Sequence, residues 1–262
     1  MIRNLPTVAC FCPTYGRPKL VQNALACFNA QDYPANLRRL YILDSANQFK
    51  DHDGPNWSVV PMATRPMYLV HKYKRLMDLV LERPTPSLDN NDVWTPPQAP
   101  DIVCVWDDDD VYLPHHISSH IEALTNHNEW PARHWSQPLN VWSDYGNKLH
   151  QEKSAGRFHG SIAISWALLT AVGGWTQCGT GEDFDQRFIG LLTQQGQPER
   201  PDIPQRGYPP GYVYRWGSTG YAHSSSHRAQ LPLQDNRKID LLVPQFDQTT
   251  ISYYQQLQPM NI

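Results

Sequence analysis

The sequence predicts an α/β fold built on a mixed, mostly parallel central sheet flanked by helices. Three observations carry that prediction. Apolar runs at 8–12, 40–43 and 102–106 have the length and continuity of strands buried on both faces. Segments with apolar residues at helical spacing alternate with them. The run at 102–106 leads directly into four consecutive carboxylates, Asp107 to Asp110, and the carboxyl ends of strands are where open α/β sheets bind ligands.

The elements follow in order. Residues 8–12 form the first strand, and the turn signal Pro13-Thr14-Tyr15-Gly16-Arg17-Pro18 ends it. A helix over 19–30 carries Leu20, Val21, Ala24, Leu25 and Phe28 on one stripe. Residues 40–43 are the second strand, with Asp44 at its carboxyl end, so this strand–helix–strand unit implies parallel pairing and a right-handed crossover. A short strand is expected at 58–62. A helix follows over 71–82 with Tyr73, Leu76, Met77, Val80 and Leu81 inward. His71, Lys72 and Lys74 oppose the dipole at its start, an arrangement compatible with a nearby anion. Residues 83–100 hold five prolines and read as an excursion or lid.

Beyond the acidic run, Pro114 opens a helix to about residue 127. Ile117, Ile121 and Leu124 face its core, and His115, His116 and His120 fall mostly on the solvent side. Strands are expected at 139–143, 158–164 and 212–216, and helices at 166–172 and from Phe184 onward. Thr180 and Asp183 have capping-box-like spacing before the last helix.

Composition narrows the class. The 262 residues suit one large domain or two small ones, and no apolar run approaches the ~18 residues needed to span a bilayer. The first strand begins by about residue 8, which predicts no signal peptide and a cytoplasmic protein. Five cysteines, odd in number and mostly in apolar runs, read as reduced core thiols. A net charge of -3 gives no footprint for nucleic acid or an anionic membrane. Arg200, Arg206, Arg215, Arg228, Arg237 and Lys238 could still form a local phosphate track. The 23 prolines and 9 tryptophans suggest stiff loops with aromatic surfaces.

Four adjacent acids repel one another, and a divalent cation relieves that repulsion. Magnesium or manganese suits such a site, bound by one or two carboxylates with substrate phosphates completing the shell.

Four patches then occur in order: Pro13 to Pro18; Leu43-Asp44-Ser45; Asp107 to Pro114; and Gly173-Gly174-Trp175 followed by Gly181-Glu182-Asp183. Together they resemble a family-2 glycosyltransferase of the GT-A fold. The resemblance implies a single domain over 1–228, with a Rossmann-like nucleotide-sugar-binding half to about 114 and an acceptor half to 228, followed by a tail over 229–262. It implies that Pro13, Thr14, Tyr15 and Arg17 border the uracil and ribose, and that Asp44 accepts a hydrogen bond from uracil. Asp107-Asp108-Asp109 would be the Asp-x-Asp motif, with Asp109 the metal ligand and Asp107 nearer the ribose. Gly174 and Trp175 would lie along the donor site. Asp183 would be the catalytic base, with Glu182 beside it raising its pKa. His223 would complete the metal shell, with His227 in reserve.

There are departures. The family usually has Asn where Gly16 stands, and a second acid where Ser45 stands. Processive synthases carry Gln-x-x-Arg-Trp, whereas Tyr212 precedes Arg215-Trp216 here.

The expected function is a metal-dependent inverting transfer of one sugar from a nucleotide sugar, a UDP-sugar first, to an acceptor hydroxyl. The cofactor is Mn2+ or Mg2+. The acceptor is a saccharide, a lipid-linked saccharide or another hydroxyl compound. A hydroxymethylated DNA base is permitted, but nucleic acid is not favoured by the charge. A nucleotidyltransferase would need a glycine-rich basic loop, and Pro13 to Pro18 offers one glycine and one arginine. A non-catalytic nucleotide or carbohydrate module would leave the Glu182-Asp183 pair without a role.

Overall fold

A computed structural model describes residues 5–64, 66, 68–83, 99–125, 134–145, 148–181, 183–202 and 209–215. Most of the proline-rich stretch after residue 83, the end of the helix expected to reach 127, and the tail over 229–262 lie outside them.

The four central strands are β1 (Val8–Thr14), β2 (Arg38–Asp44), β4 (Trp57–Pro61) and β5 (Ile102–Val105), mutually parallel in the order β4-β2-β1-β5. Among the described residues, β3 (His52–Asp53) pairs antiparallel with β4, β10 (Ala163–Ser165) pairs antiparallel with β5, and β7 (Trp135–Ser136) pairs antiparallel with β10 and so runs with the central four, giving seven strands. A four-stranded sheet runs β6 (Val111–Tyr112), β11 (Tyr212–Arg215), β8 (Asn140–Tyr145), β9 (Lys148–Lys153).

Strand alternation sorts the core into two layers. Val8, Cys10 and Cys12 of β1 share one layer with Leu40, Ile42, Ile102 and Cys104. Ala9 and Phe11 point the other way, with Tyr41, Leu43, Val103 and Val105. The first layer is covered by α1 (Pro18–Asn29) and α3 (His116–Thr125), the second by α2 (Leu69–Glu82), α4 (Trp166–Ala171) and α5 (Phe184–Gln195). All five cysteines are buried, and none is in a disulfide. No helix among the described residues is long and apolar enough to cross a membrane.

The connectivity locates a crevice. From β1 the chain moves to β2 and β4 on one side, then returns to β5 on the other. A topological switch point therefore lies between the carboxyl ends of β1 and β5, where such sheets bind ligands. The turn 107–110 sits there, with the Trp106 amide donating to the Phe11 carbonyl at 2.9 Å.

Several expectations are corrected. Leu81 is exposed, and Val70 and Leu79 take its place on the buried face of α2. His116 and His120 are buried, not solvent-side. Their rings pack 4.6 Å apart, His116 lies 4.9 Å from Tyr112, and His120 Nδ1 pairs with Ser136 Oγ at 2.6 Å. The apolar register of α3 put these histidines on the solvent side because histidine counts as polar, yet a neutral imidazole packs well against rings. The expected strand at 158–164 is instead a 3-10 turn over His159–Ser161 leading into the short β10. The hairpin partner β9 is polar and gave no apolar signal.

Burial pushes the His120 and His159 imidazoles down to about 3. These histidines are neutral in the fold and gain protons on unfolding below about 6.5, so their contribution falls as pH drops from there towards 3. Asp108 and Asp110, whose values are raised by burial, act in the opposite sense. A comparison with a variant isolates the histidine effect. The stability cost of His120→Gln, measured by urea unfolding, should shrink as pH falls from 7 to 4. A constant cost across that range contradicts the neutral buried imidazole.

Candidate functional site

The four acids are not equivalent. Alternation along the turn sends Asp108 and Asp110 inward, and leaves Asp107 and Asp109 partly exposed at the crevice. Each inward carboxylate has its own partners. Asp108 accepts from Thr14 Oγ1 at 2.6 Å and lies 2.6 Å from Arg17 Nη2. Asp110 accepts from Tyr212 Oη at 2.5 Å and from the Arg215 amide at 3.0 Å. Burial pushes Asp108 up to about 6, against the pull of Arg17, and Asp110 up to about 8, helped by the neighbouring Asp109 charge. The Arg215 side chain donates from Nε to the Asp109 carbonyl. The Tyr212 and Arg215 pair, where synthases carry Gln and Arg, thus clasps the turn from below.

The outward acids are positioned from behind. Asp107 accepts from Tyr73 Oη at 3.1 Å, and its amide donates to Tyr112 Oη at 2.6 Å. Gly160 passes beneath; a Cβ there would stand 2.6 Å from Asp107 Oδ2, 2.9 Å from Tyr212 Oη and 3.1 Å from Tyr112 Oη. That close approach leaves no room for a Cβ, so the position favours glycine. Asp109 pairs with Arg17 Nη1 at 2.8 Å.

At the end of β1, Pro13 is buried in the strand, which extends to Thr14. Thr14 offers its carbonyl to the Ser45 amide, to Ser45 Oγ at 2.8 Å and to Lys72 Nζ at 3.2 Å. Gly16 has φ +67 with open space around a notional Cβ. Asparagine is the residue that best shares this left-handed region with glycine, so Gly16 fits the backbone the family builds with Asn. Tyr15 is exposed, and Lys72 Nζ lies 5.6 Å from its ring centroid. Lys72 is therefore a site residue, whose only sequence signal was its unfavourable place in the first turn of a helix.

Three expected ligand contacts change character. Asp44 is wholly buried, and its oxygens accept from the amides of Ala46 at 2.9 Å, Gln48 at 2.5 Å and Phe49 at 2.9 Å. It shapes the loop after β2 and is closed to a base. Trp175 is also wholly buried, stacked 4.6 Å from Tyr73 on one side and 4.6 Å from Phe188 on another, with its indole N–H donating to His159 Nε2 at 2.7 Å. Gly174, at φ +61, lies where a Cβ would meet Met77 Sδ at 2.6 Å. Both belong to the wall behind the site.

Asp183 caps the start of α5 by position but makes no side-chain cap bond. Its Oδ2 accepts from Arg187 Nε at 2.9 Å instead, and both side chains are about half exposed. That hydrogen bond holds the Asp183 carboxyl below the usual carboxylate range, the reverse of the expected rise. Glu182, His223 and His227 lie outside the described residues. Of the basic residues considered for a phosphate track, Arg200 is bonded to the carbonyls of Gln137 and Pro138, and Arg215 to the acid turn. Arg206, Arg228, Arg237 and Lys238 lie outside the described residues.

Asp107 and Asp109 offer hard oxygen donors of the kind magnesium and manganese prefer. A guanidinium already seated against Asp109 shows that the turn attracts positive charge. Among the described residues no group of three His, Cys, Asp or Glu side chains could hold a metal, so a cation here fits only with further oxygens from a ligand or from elsewhere in the chain.

The fold is that of the GT-A-like glycosyltransferases. TarS from S. aureus, residues 1–349, matches with a TM-score of 0.56 at 12% identity over 81% of this chain, which spans 61% of that one. The mannosyltransferase PcManGT from Pyrobaculum calidifontis, in complex with GDP-Man and Mn2+, matches with a TM-score of 0.55 at 16% identity over 97% of this chain and 70% of its own. TarS 1–349 in complex with UDP-GlcNAc gives 0.55 at 12% identity, over 80% and 58%. No protein-family model matches the sequence, and no curated protein does. At such identities the likeness is one of fold.

Gly160→Ala should lower stability by about 1–3 kcal/mol in urea unfolding, as overpacking against the side-chain oxygens of Asp107, Tyr212 and Tyr112 does. An unchanged unfolding midpoint would contradict the close approach beneath the acid turn.

Proposed function

We propose that this protein transfers one sugar from a nucleoside-diphosphate sugar to an acceptor hydroxyl with inversion, in a reaction that uses Mn2+ or Mg2+. One observation carries the reading. Tyr73 reaches Asp107 with its hydroxyl at 3.1 Å, while its ring centroid lies 6.1 Å from that of Phe184, the residue after Asp183. A single side chain therefore spans from the acid turn to the start of α5. That link supports reading the two corners the chemistry needs as parts of one site.

In this reading the donor lies across the carboxyl ends of β1 and β5. Tyr15 offers an exposed ring against the nucleoside, and Lys72 and Arg17 offer cationic groups to the diphosphate. A UDP-sugar is the first candidate donor. Asp44 contributes by shaping the loop after β2, so the base is read by that loop and not by the carboxylate. Asp107 and Asp109, joined by His223, would hold the cation, which neutralises charge on the departing diphosphate. The stacked wall of Tyr73, Trp175 and Phe188 keeps Asp107 in place when charge develops in front of it.

Asp183 takes the proton from the acceptor hydroxyl as that oxygen attacks the anomeric carbon from the face opposite the diphosphate. Such assistance contributes ~10²–10⁴-fold. Arg187 keeps the carboxylate ionised and aimed, and Glu182 is its neighbour in sequence. The acceptor is a saccharide, a lipid-linked saccharide or another hydroxyl compound. Arg200 and Arg215 already donate to carbonyls, so neither supports the phosphate-track reading.

Transfer or donor hydrolysis assayed with UDP- and GDP-sugars, with and without manganese, tests the class directly; no turnover or binding with any nucleotide sugar would contradict it. Asp183→Asn should lower kcat by ~10²-fold or more with donor affinity retained. Because Arg187 lowers the Asp183 value, the acidic limb of the rate profile should lie below the usual carboxylate range. Arg187→Gln removes that hydrogen bond, so the limb should move to higher pH. A limb that does not move would remove Asp183 from the base role.

A further inference from the structure

Arg17 occupies a position that sequence alone assigned to the edge of a nucleoside. Its guanidinium lies 2.6 Å from Asp108 Oδ1 and 2.8 Å from Asp109 Oδ2, with the side chain 22% exposed. Its backbone is fixed: the Arg17 carbonyl accepts from the Leu20 and Val21 amides, and Pro18 follows as the first helical residue. Only the side chain is free to change partners. Arg17 Nε is buried without a hydrogen-bond partner, so the guanidinium is held at its outer end alone. The two carboxylates it touches are unlike. Asp108 is buried and keeps Thr14 as a second partner at 2.6 Å, whereas Asp109 faces the crevice.

We propose that Arg17 is the resident counter-cation of the acid turn and exchanges Asp109 for the diphosphate of an arriving donor, so that divalent cation and donor bind cooperatively. This rests on the donor reading above and adds a role for one side chain. While Arg17 holds Asp109, a free cation must displace an existing ion pair to reach that carboxylate. A diphosphate offers the same guanidinium an anionic, bidentate alternative a short distance away. Arg17 then leaves Asp109 open, and Asp108 remains bonded to Thr14. Coupling of this kind is reciprocal: whatever the diphosphate gains from the cation, the cation gains from the diphosphate.

The test is Mn2+ binding to the full chain, followed by electron paramagnetic resonance, with no nucleotide and then with saturating UDP or GDP. Each mixture is referenced to nucleotide and Mn2+ without protein. Wild type should bind Mn2+ weakly alone and about tenfold or more tightly with the diphosphate, within the usual range of coupling between sites. Arg17→Gln should bind Mn2+ alone about tenfold more tightly than wild type and lose most of the coupling, whereas Arg17→Lys keeps the charge without the two-pronged fork and should fall between the two. The double variant Arg17→Gln, Asp108→Asn removes the uncompensated buried charge and should show the same gain if the single variant does not fold. Equal Mn2+ affinity of wild type and a folded, nucleotide-binding Arg17→Gln or double variant overturns the exchange while leaving the donor reading standing. Absence of nucleotide binding by wild type overturns the donor reading, and the exchange with it.

Discussion

A carboxylate taken out of water without partners is costly, and the turn after β5 takes in two. Everything around that turn is arranged to make this tolerable. Thr14 and Arg17 reach Asp108 from the end of β1 and the start of α1. Tyr212 and the Arg215 amide reach Asp110 from β11, which belongs to the other sheet. The partners are far apart in sequence and meet only when both sheets are formed. Folding the molecule and assembling the acid corner are therefore one event.

Fixing the inward pair fixes the outward pair. With Asp108 and Asp110 held, strand-like alternation leaves Asp107 and Asp109 at the crevice. Tyr73 and Gly160 then set the Asp107 carboxylate from below, and the stack from Tyr73 through Trp175 to Phe188 ties that carboxylate to α5. Hydrophobic burial does the structural work behind the wall, and the polar groups in front of it remain available. The neutral His159, accepting from Trp175, completes the wall without placing a charge near the acids.

Much of this was legible in the sequence because apolar periodicity is local. The central strands, α1, α2 and α5 and the switch point at the acidic run follow from it. The fold class followed from the order of those elements. What was not legible depends on contacts between distant residues. Gly160 sits in an alternating pattern that reads as strand, and its close approach to Asp107 is visible only in the folded chain. The resemblance put Trp175 along the donor site; its two covered faces put it in the wall behind. Asp44 stands where a base contact was expected, and it is wholly buried with three backbone amides donating to it. The sense of the Asp183 shift turned on Arg187, one helical turn later, a pairing the spacing allowed but the capping pattern obscured.

The central claim is that the acid turn and the start of α5 face one bound nucleotide sugar. A crystal structure of the protein with a nucleoside diphosphate sugar and manganese tests it most directly. The account predicts the diphosphate between the carboxyl ends of β1 and β5, within hydrogen-bond reach of Lys72 Nζ, with the anomeric carbon turned toward Asp183. A nucleotide seated elsewhere on the molecule, or an anomeric carbon turned away from α5, would contradict it.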